Sequence, residues 1–183
     1  MKESDAEELH EVVVLNRGLL APWMPWAAKQ TLEGTEFVQS SRRQLTANEG
    51  IQAAIIDQHS IAVVIGFSRL DWENRSANLG YWLAGTSQGR GIVTAATAAL
   101  VDYAFGVWKL NRIEIRVGIE NVRSRRVPER LGFLEEGVLR EAELIGDRCI
   151  DHVVYRLLER DWDPPTRNGR GGAPGQLETL GPE

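Results

Sequence analysis

The chain has 183 residues, 43% of them hydrophobic and 26% charged, enough to bury one full core and too apolar to be a disordered or fibrous segment. No apolar run approaches the length of a membrane span, Met1 to Leu9 is too acidic for a secretory signal, and a net charge of -5 speaks against general nucleic-acid binding. One cysteine, Cys149, and three scattered histidines, His10, His59 and His152, leave no disulfide framework and no metal-ligand spacing. A cytoplasmic domain with no metal, no DNA and no membrane partner is therefore expected.

Ser4 and Glu7 have capping-box spacing, and Ala6, Leu9, Val12, Val13 and Leu19 hold a helical stripe, which predicts one helix ending near Gly18 to Ala21. Prolines break the next stretch, Ala21-Pro22-Trp23-Met24-Pro25-Trp26, into a loop. Its tryptophans read either as plugs at the core edge or as the lining of a cleft. A second helix is predicted over Glu33 to Ala47, with Phe37, Val38, Ser41 and Leu45 inward and Arg42-Arg43 solvated. Ile51 to Asp57, Ile61 to Leu70 and Ala77 to Leu83 are β-branched and apolar, and the turns between them are short enough to require an antiparallel meander. Asn74-Arg75-Ser76 fits a glycosylation sequon, which without a secretory signal is read as chance.

Gly80 to Tyr103 runs from a strand through a glycine-rich turn into a long helix, on which Ile92, Ala95, Ala96, Ala99, Leu100 and Tyr103 recur at helical spacing. A helix that starts behind glycines offers bare N–H groups and a positive dipole end to an anion, most often a phosphate. The Walker pattern fails, since Arg90-Gly91 stands where it requires Gly-Lys, and the dinucleotide pattern fails at Thr94. The strand Arg112 to Ile119 follows, and the helix before it is the crossover that a parallel pair with the Tyr81 strand requires. Ser124 can cap a short helix over Arg125 to Leu131. Phe133 to Glu143 and Arg148 to Leu158 form a last hairpin that turns at Ile145-Gly146-Asp147. Residues 163–183 hold four of the seven prolines and five glycines, which predicts a disordered tail behind a domain of residues 1–162. One Arg170-Gly171-Gly172 in it is too little to read as an RNA-binding repeat.

Gln88-Gly89-Arg90-Gly91-Ile92-Val93 resembles the Q/R-x-x-G-x-G/A loop that holds the pyrophosphate of acetyl-CoA in the GNAT acetyltransferase superfamily. Asn121-Val122-Arg123-Ser124-Arg125-Arg126-Val127-Pro128-Glu129-Arg130-Leu131-Gly132-Phe133 resembles the N-x-x-S-x-x-V/I-x-x-x-L-G-F signature of the same superfamily, and Glu135-Glu136-Gly137 follows in the usual place. From Trp72-Glu73-Asn74-Arg75 through Asp151-His152-Val153-Val154-Tyr155 to Asp161-Trp162 the chain is similar to the RimJ/RimL-like branch, the ribosomal-protein-serine and -alanine acetyltransferases. The resemblance implies an α/β GNAT fold, a mixed and mostly antiparallel sheet with a splayed parallel central pair flanked by helices. Two departures stand out. Relatives carry a strand of Arg-Leu-x-Leu-Arg type before the first helix, for which Met1 leaves no room: either the sequence starts late or the sheet lacks that edge strand, and a true loss would leave the next strand unpaired along one side. Val93 also stands where Gly or Ala is commoner.

Carried over residue by residue, the resemblance implies that acetyl-CoA, the co-substrate, lies against Leu83, Ala84, Gln88, Gly89, Arg90, Gly91, Ile92, Val93, Thr94, Asn121 and Ser124. Ser124 would also donate a proton toward the departing thiolate. Glu143 aligns with the glutamate proposed as general base, and Glu141, two residues earlier and so on the same face of a regular strand, competes for that role. Trp23, Trp26, Trp72, Tyr81 and Glu141 are expected near the acceptor amine. Asp151-His152 is the next polar pair of interest, its histidine being suited to proton transfer. A homodimer is compatible with the resemblance.

A thioester is already activated, so direct transfer in a ternary complex needs no covalent intermediate, and Cys149 is read as structural. Only a neutral amine attacks. An α-amine near pKa 7.7 to 8.0 is about one tenth neutral at pH 7, whereas a lysine-type amine near 10.4 is neutral in roughly one molecule in two thousand, a difference of ~3 kcal/mol. This favours a protein N-terminus as acceptor, and the resemblance implies one of ribosomal-protein type. Acetylation of a polyamine or an amine antibiotic, and a non-catalytic acyl-CoA sensor, are the competing readings.

Overall fold

The computed structural model describes residues 1–29 and 34–165; Glu33 and the predicted tail from residue 166 onward lie outside the described residues. The first turn is capped by Asp5, not Ser4. The Asp5 carboxylate accepts the Lys2 N–H at 2.7 Å, and Ser4 merely donates to the same carboxylate at 3.3 Å. Helix α1 (Ala6–Leu15) buries Leu9, Val12 and Val13, as the stripe predicts. It stops earlier than expected, and α2 (Arg17–Leu20) follows as a separate turn. The break is at Asn16, whose amide donates to the Val12 carbonyl at 2.7 Å while its Oδ1 accepts the Gly85 N–H at 2.7 Å. A side chain that satisfies both a helix end and a distant loop fastens the break in place. The proline-broken segment holds one more turn, α3 (Pro25–Ala28), with proline at its first position, where no N–H is needed. Helix α4 (Gly34–Thr46) buries Val38 and Ser41.

Strands β1 (Ile51–Asp57), β2 (Ser60–Asp71) and β3 (Ser76–Leu83) form the predicted meander. Helix α5 (Ile92–Gly106) crosses over to β4 (Arg112–Gly118), which pairs parallel to β3. Helix α6 (Val122–Arg130) and the hairpin β5 (Leu134–Ile145) and β6 (Arg148–Leu158) complete the domain. The six strands lie in the order β1-β2-β3-β4-β6-β5, so β1 is an edge strand among the described residues. Helices cover both faces. One core joins α5 and α6 to Phe67, Ile113, Ile115 and Tyr155, and a second joins α1 and α4 to Ile61, Val64 and Trp82. That double cover explains why Ile61 to Phe67 of β2 is buried at every residue and does not alternate. Cys149, read as structural, is exposed beside the hairpin turn.

Candidate active site

Backbone geometry prepares the glycine loop for an anion. Gly89 and Gly91 have φ of 74° and 75°, the left-handed region that glycine enters without a Cβ clash, and Gly91 is the N-cap of α5. Intrachain bonding lapses across this turn: Gln88 N–H donates to the Gly85 carbonyl at 3.3 Å, and the next backbone donor is Ala95, to Gly91, at 3.0 Å. Between them, the N–H groups of Gly89 through Thr94 have no acceptor among the described residues. A cleft of about 830 Å³ is lined by Gln88, Gly89, Gly91, Ile92, Val93 and Thr94 of this turn on one side and by α6 on the other. Arg123, Arg126 and Arg130 share one face of α6 and line the same cleft; Arg123 also donates to the Gln88 side chain at 2.9 Å. Bare amides and three guanidiniums lining one cleft fit a ligand carrying several phosphates. Sequence reasoning missed these arginines, although their spacing of three and four residues was a legible signal.

Arg90 is placed otherwise than expected. Its guanidinium pairs with Asp57 at the end of β1, and it does not line the cleft. Leu83 does, while the backbone near it is partly spoken for: Ala84 N–H donates to Ala62 at 2.8 Å and Gly85 N–H to Asn16.

The sheet opens between its parallel strands. β3 and β4 pair only over Ser76 to Asn78 against Arg112 to Glu114; beyond them the strands part, and α6 begins in the gap. Asn121, not Ser124, caps α6, its Oδ1 accepting the Ser124 N–H at 3.2 Å. Ser124 sits inside the first turn with its hydroxyl free for other work. That hydroxyl donates to the Tyr81 oxygen at 3.3 Å, and the Tyr81 O–H donates to the Ser124 carbonyl at 2.9 Å. Burial pushes the Tyr81 phenol well above its ordinary pKa, against the opposing pull of Ser124, so it remains a neutral donor.

A second cleft, about 470 Å³, opens beside α4. Trp23, Met24, Tyr81, Trp82, Asn121 and Ser124 line both clefts, so the two meet at the splay. Trp26 and Phe37 add apolar wall to the second, Ser40, Ser41 and Gln44 of α4 add neutral hydrogen-bonding groups, and Arg116, Glu143 and His152 carry its titratable groups. Glu143 Oε2 lies 3.2 Å from His152 Nε2.

Two expected acceptor residues lie elsewhere. Trp72, in the β2–β3 turn, packs edge-on against Trp108 at 5.6 Å and donates to the Asn48 carbonyl at 2.7 Å; it lines neither cleft because the turn is at the far end of the strands. Glu141 does not share a face with Glu143. The β5–β6 register jumps between Leu139 and Glu143, and Glu141 takes φ of 49° in this bulge. Its N–H donates to Asp151 at 2.8 Å and its exposed side chain lines neither cleft. Among the described residues no cluster of three or more His, Cys, Asp or Glu is placed to hold a metal ion, and no helix is long and apolar enough to cross a membrane.

The family model for the acetyltransferase (GNAT) domain matches residues 1–134. The protein of Bacillus subtilis (strain 168) named "Putative ribosomal N-acetyltransferase YdaF" is 37% identical over 166 residues that span 89% of this chain and 91% of its own. Among solved structures, the microcin C7 self-immunity acetyltransferase MccE in complex with acetyl-CoA and AMP has a TM-score of 0.81 at 29% identity, covering 86% of this chain and 88% of that one. The ribosomal alpha-N-protein acetyltransferase RimL in complex with coenzyme A has a TM-score of 0.82 at 26% identity, covering 86% and 90%.

Proposed function

The chain belongs to the acetyltransferase (GNAT) domain family, and from that premise we propose that it acetylates the α-amine at the N-terminus of a protein, of ribosomal-protein type, by direct attack within a ternary complex. It is an acetyl-CoA-dependent N-acetyltransferase. The observation that carries the finer reading is the meeting of two clefts at Tyr81 and Ser124, with Glu143 the one carboxylate lining the acceptor side among the described residues. Residues 1–162 form the catalytic domain in this reading.

Acetyl-CoA supplies an acyl group already activated as a thioester. The N–H groups of Gly89 to Thr94 would hold its pyrophosphate, with Arg123, Arg126 and Arg130 adding positive charge along the same cleft. In the acceptor cleft Trp23 and Trp26 position the amine and Glu143 takes its proton. Ser124, held at the splay by the neutral Tyr81 phenol, would turn its hydroxyl from the Tyr81 oxygen toward the departing sulfur and donate to it. One carboxylate suits a monocation: a polyamine or aminoglycoside would bring several charges to a cleft that also contains Arg116. An α-amine is moreover the amine that a glutamate deprotonates at least cost.

The test is thiol release from acetyl-CoA by the purified protein against N-terminal peptides, spermidine and aminoglycosides. Release with α-amine peptides alone is the expected result. Release only with a polyamine or a drug would keep the fold and move the function to small-molecule modification; tight acetyl-CoA binding with no release would leave a sensor.

A further inference from the structure

We propose that His152 is the second seat for the proton that Glu143 removes, so that the Glu143–His152 pair, and not the carboxylate alone, acts as the base. The proposal rests on the reading of Glu143 as base. Its geometry is independent of the family motifs: His152 stands on β6, opposite Gly118 on one side and Leu139 on the other. With no side chain at Gly118, the imidazole reaches the acceptor cleft, where its Nε2 is 3.2 Å from Glu143 Oε2. The pair is assembled by the bulge in β5, which leaves Arg140, Glu141 and Ala142 unpaired and so brings Glu143 opposite Ile150, next to His152.

Proton accounting explains why a second seat matters. An ammonium acceptor sheds two protons as it becomes an amide: one must leave before the nitrogen can attack, and another leaves as the carbon–sulfur bond breaks. Both leave the nitrogen for Glu143: the first goes on to solvent, and the second ends on the departing sulfur by way of Ser124, which gives the sulfur its hydroxyl proton and is resupplied with this one. A single carboxylate that has accepted the first proton is neutral when the second must leave. Passing the first proton to neutral His152 restores the Glu143 carboxylate, and the imidazolium beside it is held by the charge it faces until it releases its proton to water. No oxidant or further reactant enters, and the balance is amine cation plus thioester giving amide, thiol and one proton.

The groups that surround the imidazole permit this. The charged ones are Glu143 on β5, Asp151 beside it on β6, and Arg116 on β4; Asp151 is itself held by Arg140 at 2.6 Å and by the Glu141 N–H at 2.8 Å. The start of α6 contributes only the neutral Asn121 and Ser124, and the α2–α3 segment contributes Trp23. Protonated in advance, His152 has no room for the proton and pairs with Glu143, so transfer is expected to fall on the acid side.

The experiment is kcat/KM against pH for wild type, His152→Gln and Glu143→Gln, with the best peptide acceptor, alongside acetyl-CoA affinity and thermal melts. His152→Gln keeps a hydrogen-bond donor for Glu143 but cannot titrate. It is expected to bind acetyl-CoA as wild type does, to lose about a hundredfold in kcat, the lower end of what proton-transfer groups contribute, and to lose the acid limb of the profile. A His152→Gln protein with that limb in place and a rate within twofold of wild type would overturn the relay. If His152→Gln does not melt cooperatively, His152→Asn replaces it with the same readouts. Glu143→Gln keeps the two ideas apart: inactive Glu143→Gln with an unaltered His152→Gln overturns the relay alone, whereas active Glu143→Gln overturns the base on which it rests.

Discussion

Tyr155 is the peg that seats α6 on the sheet, and Tyr155→Phe isolates its hydroxyl. The ring is 1% exposed and keeps its packing as phenylalanine. The hydroxyl accepts from Arg125 Nε at 2.8 Å and donates to Glu129 Oε1 at 2.8 Å. Hydrogen bonds to charged partners contribute about 1.5–3 kcal/mol each, so both together set an upper bound near 6 kcal/mol. Two observations reduce it. Arg125 keeps the Ile119 carbonyl at 3.2 Å and Glu135 at 3.5 Å, and the Glu129 side chain is 46% exposed and can rehydrate. We expect a net loss of about 2 kcal/mol, which in a domain of this size lowers Tm by about 4–8 °C. Because Asn121, Ser124 and the arginine face travel with α6, a loss of about 1 kcal/mol in holding the helix in place would weaken acetyl-CoA binding about fivefold. Urea denaturation and acetyl-CoA titration of the same preparation read both numbers. A stability change under about 0.5 kcal/mol, the range of inert surface substitutions, together with an unchanged affinity, would refute the assignment of this peg.

Other sites give sharper separations between cofactor and acceptor. A Cβ at Gly118, which lines the acceptor cleft alone, would stand 3.3 Å from Trp23 Cε3 and 3.3 Å from Ile150 Cγ2, so Gly118→Ala should raise the KM for the acceptor several-fold and weaken acetyl-CoA binding less, through Trp23, which lines both clefts; equal effects on both ligands would contradict the two-cleft arrangement. Gly91→Ala meets open space but must hold φ of 75°, a strain of about 1–2 kcal/mol, and should weaken acetyl-CoA binding with a lower melting temperature; a variant that melts and binds like wild type would show that the turn relaxes freely. Glu114 supplies a pH prediction. Burial raises its pKa, but hydrogen bonds from Arg116 at 2.6 Å and Arg112 at 3.0 Å outweigh it and hold the carboxylate below its ordinary value. The stabilisation is therefore complete above the ordinary glutamate pKa, about 4.3, and is lost as pH falls below it through the lowered folded value. Melting curves of wild type and Glu114→Gln should differ by a constant amount above about pH 5.5 and draw together as pH falls below the ordinary glutamate value; a gap of constant size across the whole profile would mean that Glu114 acts through packing alone.

Local chemistry made much of this protein legible from residues alone. β-branched runs separated by short turns led to β1, β2 and β3 in their right places, and glycines before an alanine-rich stripe led to the loop and α5, because these signals act within a few residues. The parallel β3–β4 pair was also readable, since only a crossover helix can join such strands. What escaped were decisions made between distant segments. Asn16 ends α1 because Gly85 offers it a second bond, and nothing near Asn16 in the chain says so. Asn121 takes the cap and leaves Ser124 to Tyr81, a choice between two good capping residues that the splayed sheet decides. Trp72 and Trp26 look alike in sequence, yet one packs on Trp108 at the remote end of the strands and the other lines a cleft. The period of two that joins Glu141 to Glu143 holds only in a regular strand, and a bulge against Asp151 turns one carboxylate outward and the other toward His152. The sequence by itself determined the elements and the anion-binding turn, whose causes are local sterics and hydrogen bonding; the tertiary structure alone decided which polar groups face each other across the gap between β3 and β4, because that depends on register and on contacts between residues far apart in the chain.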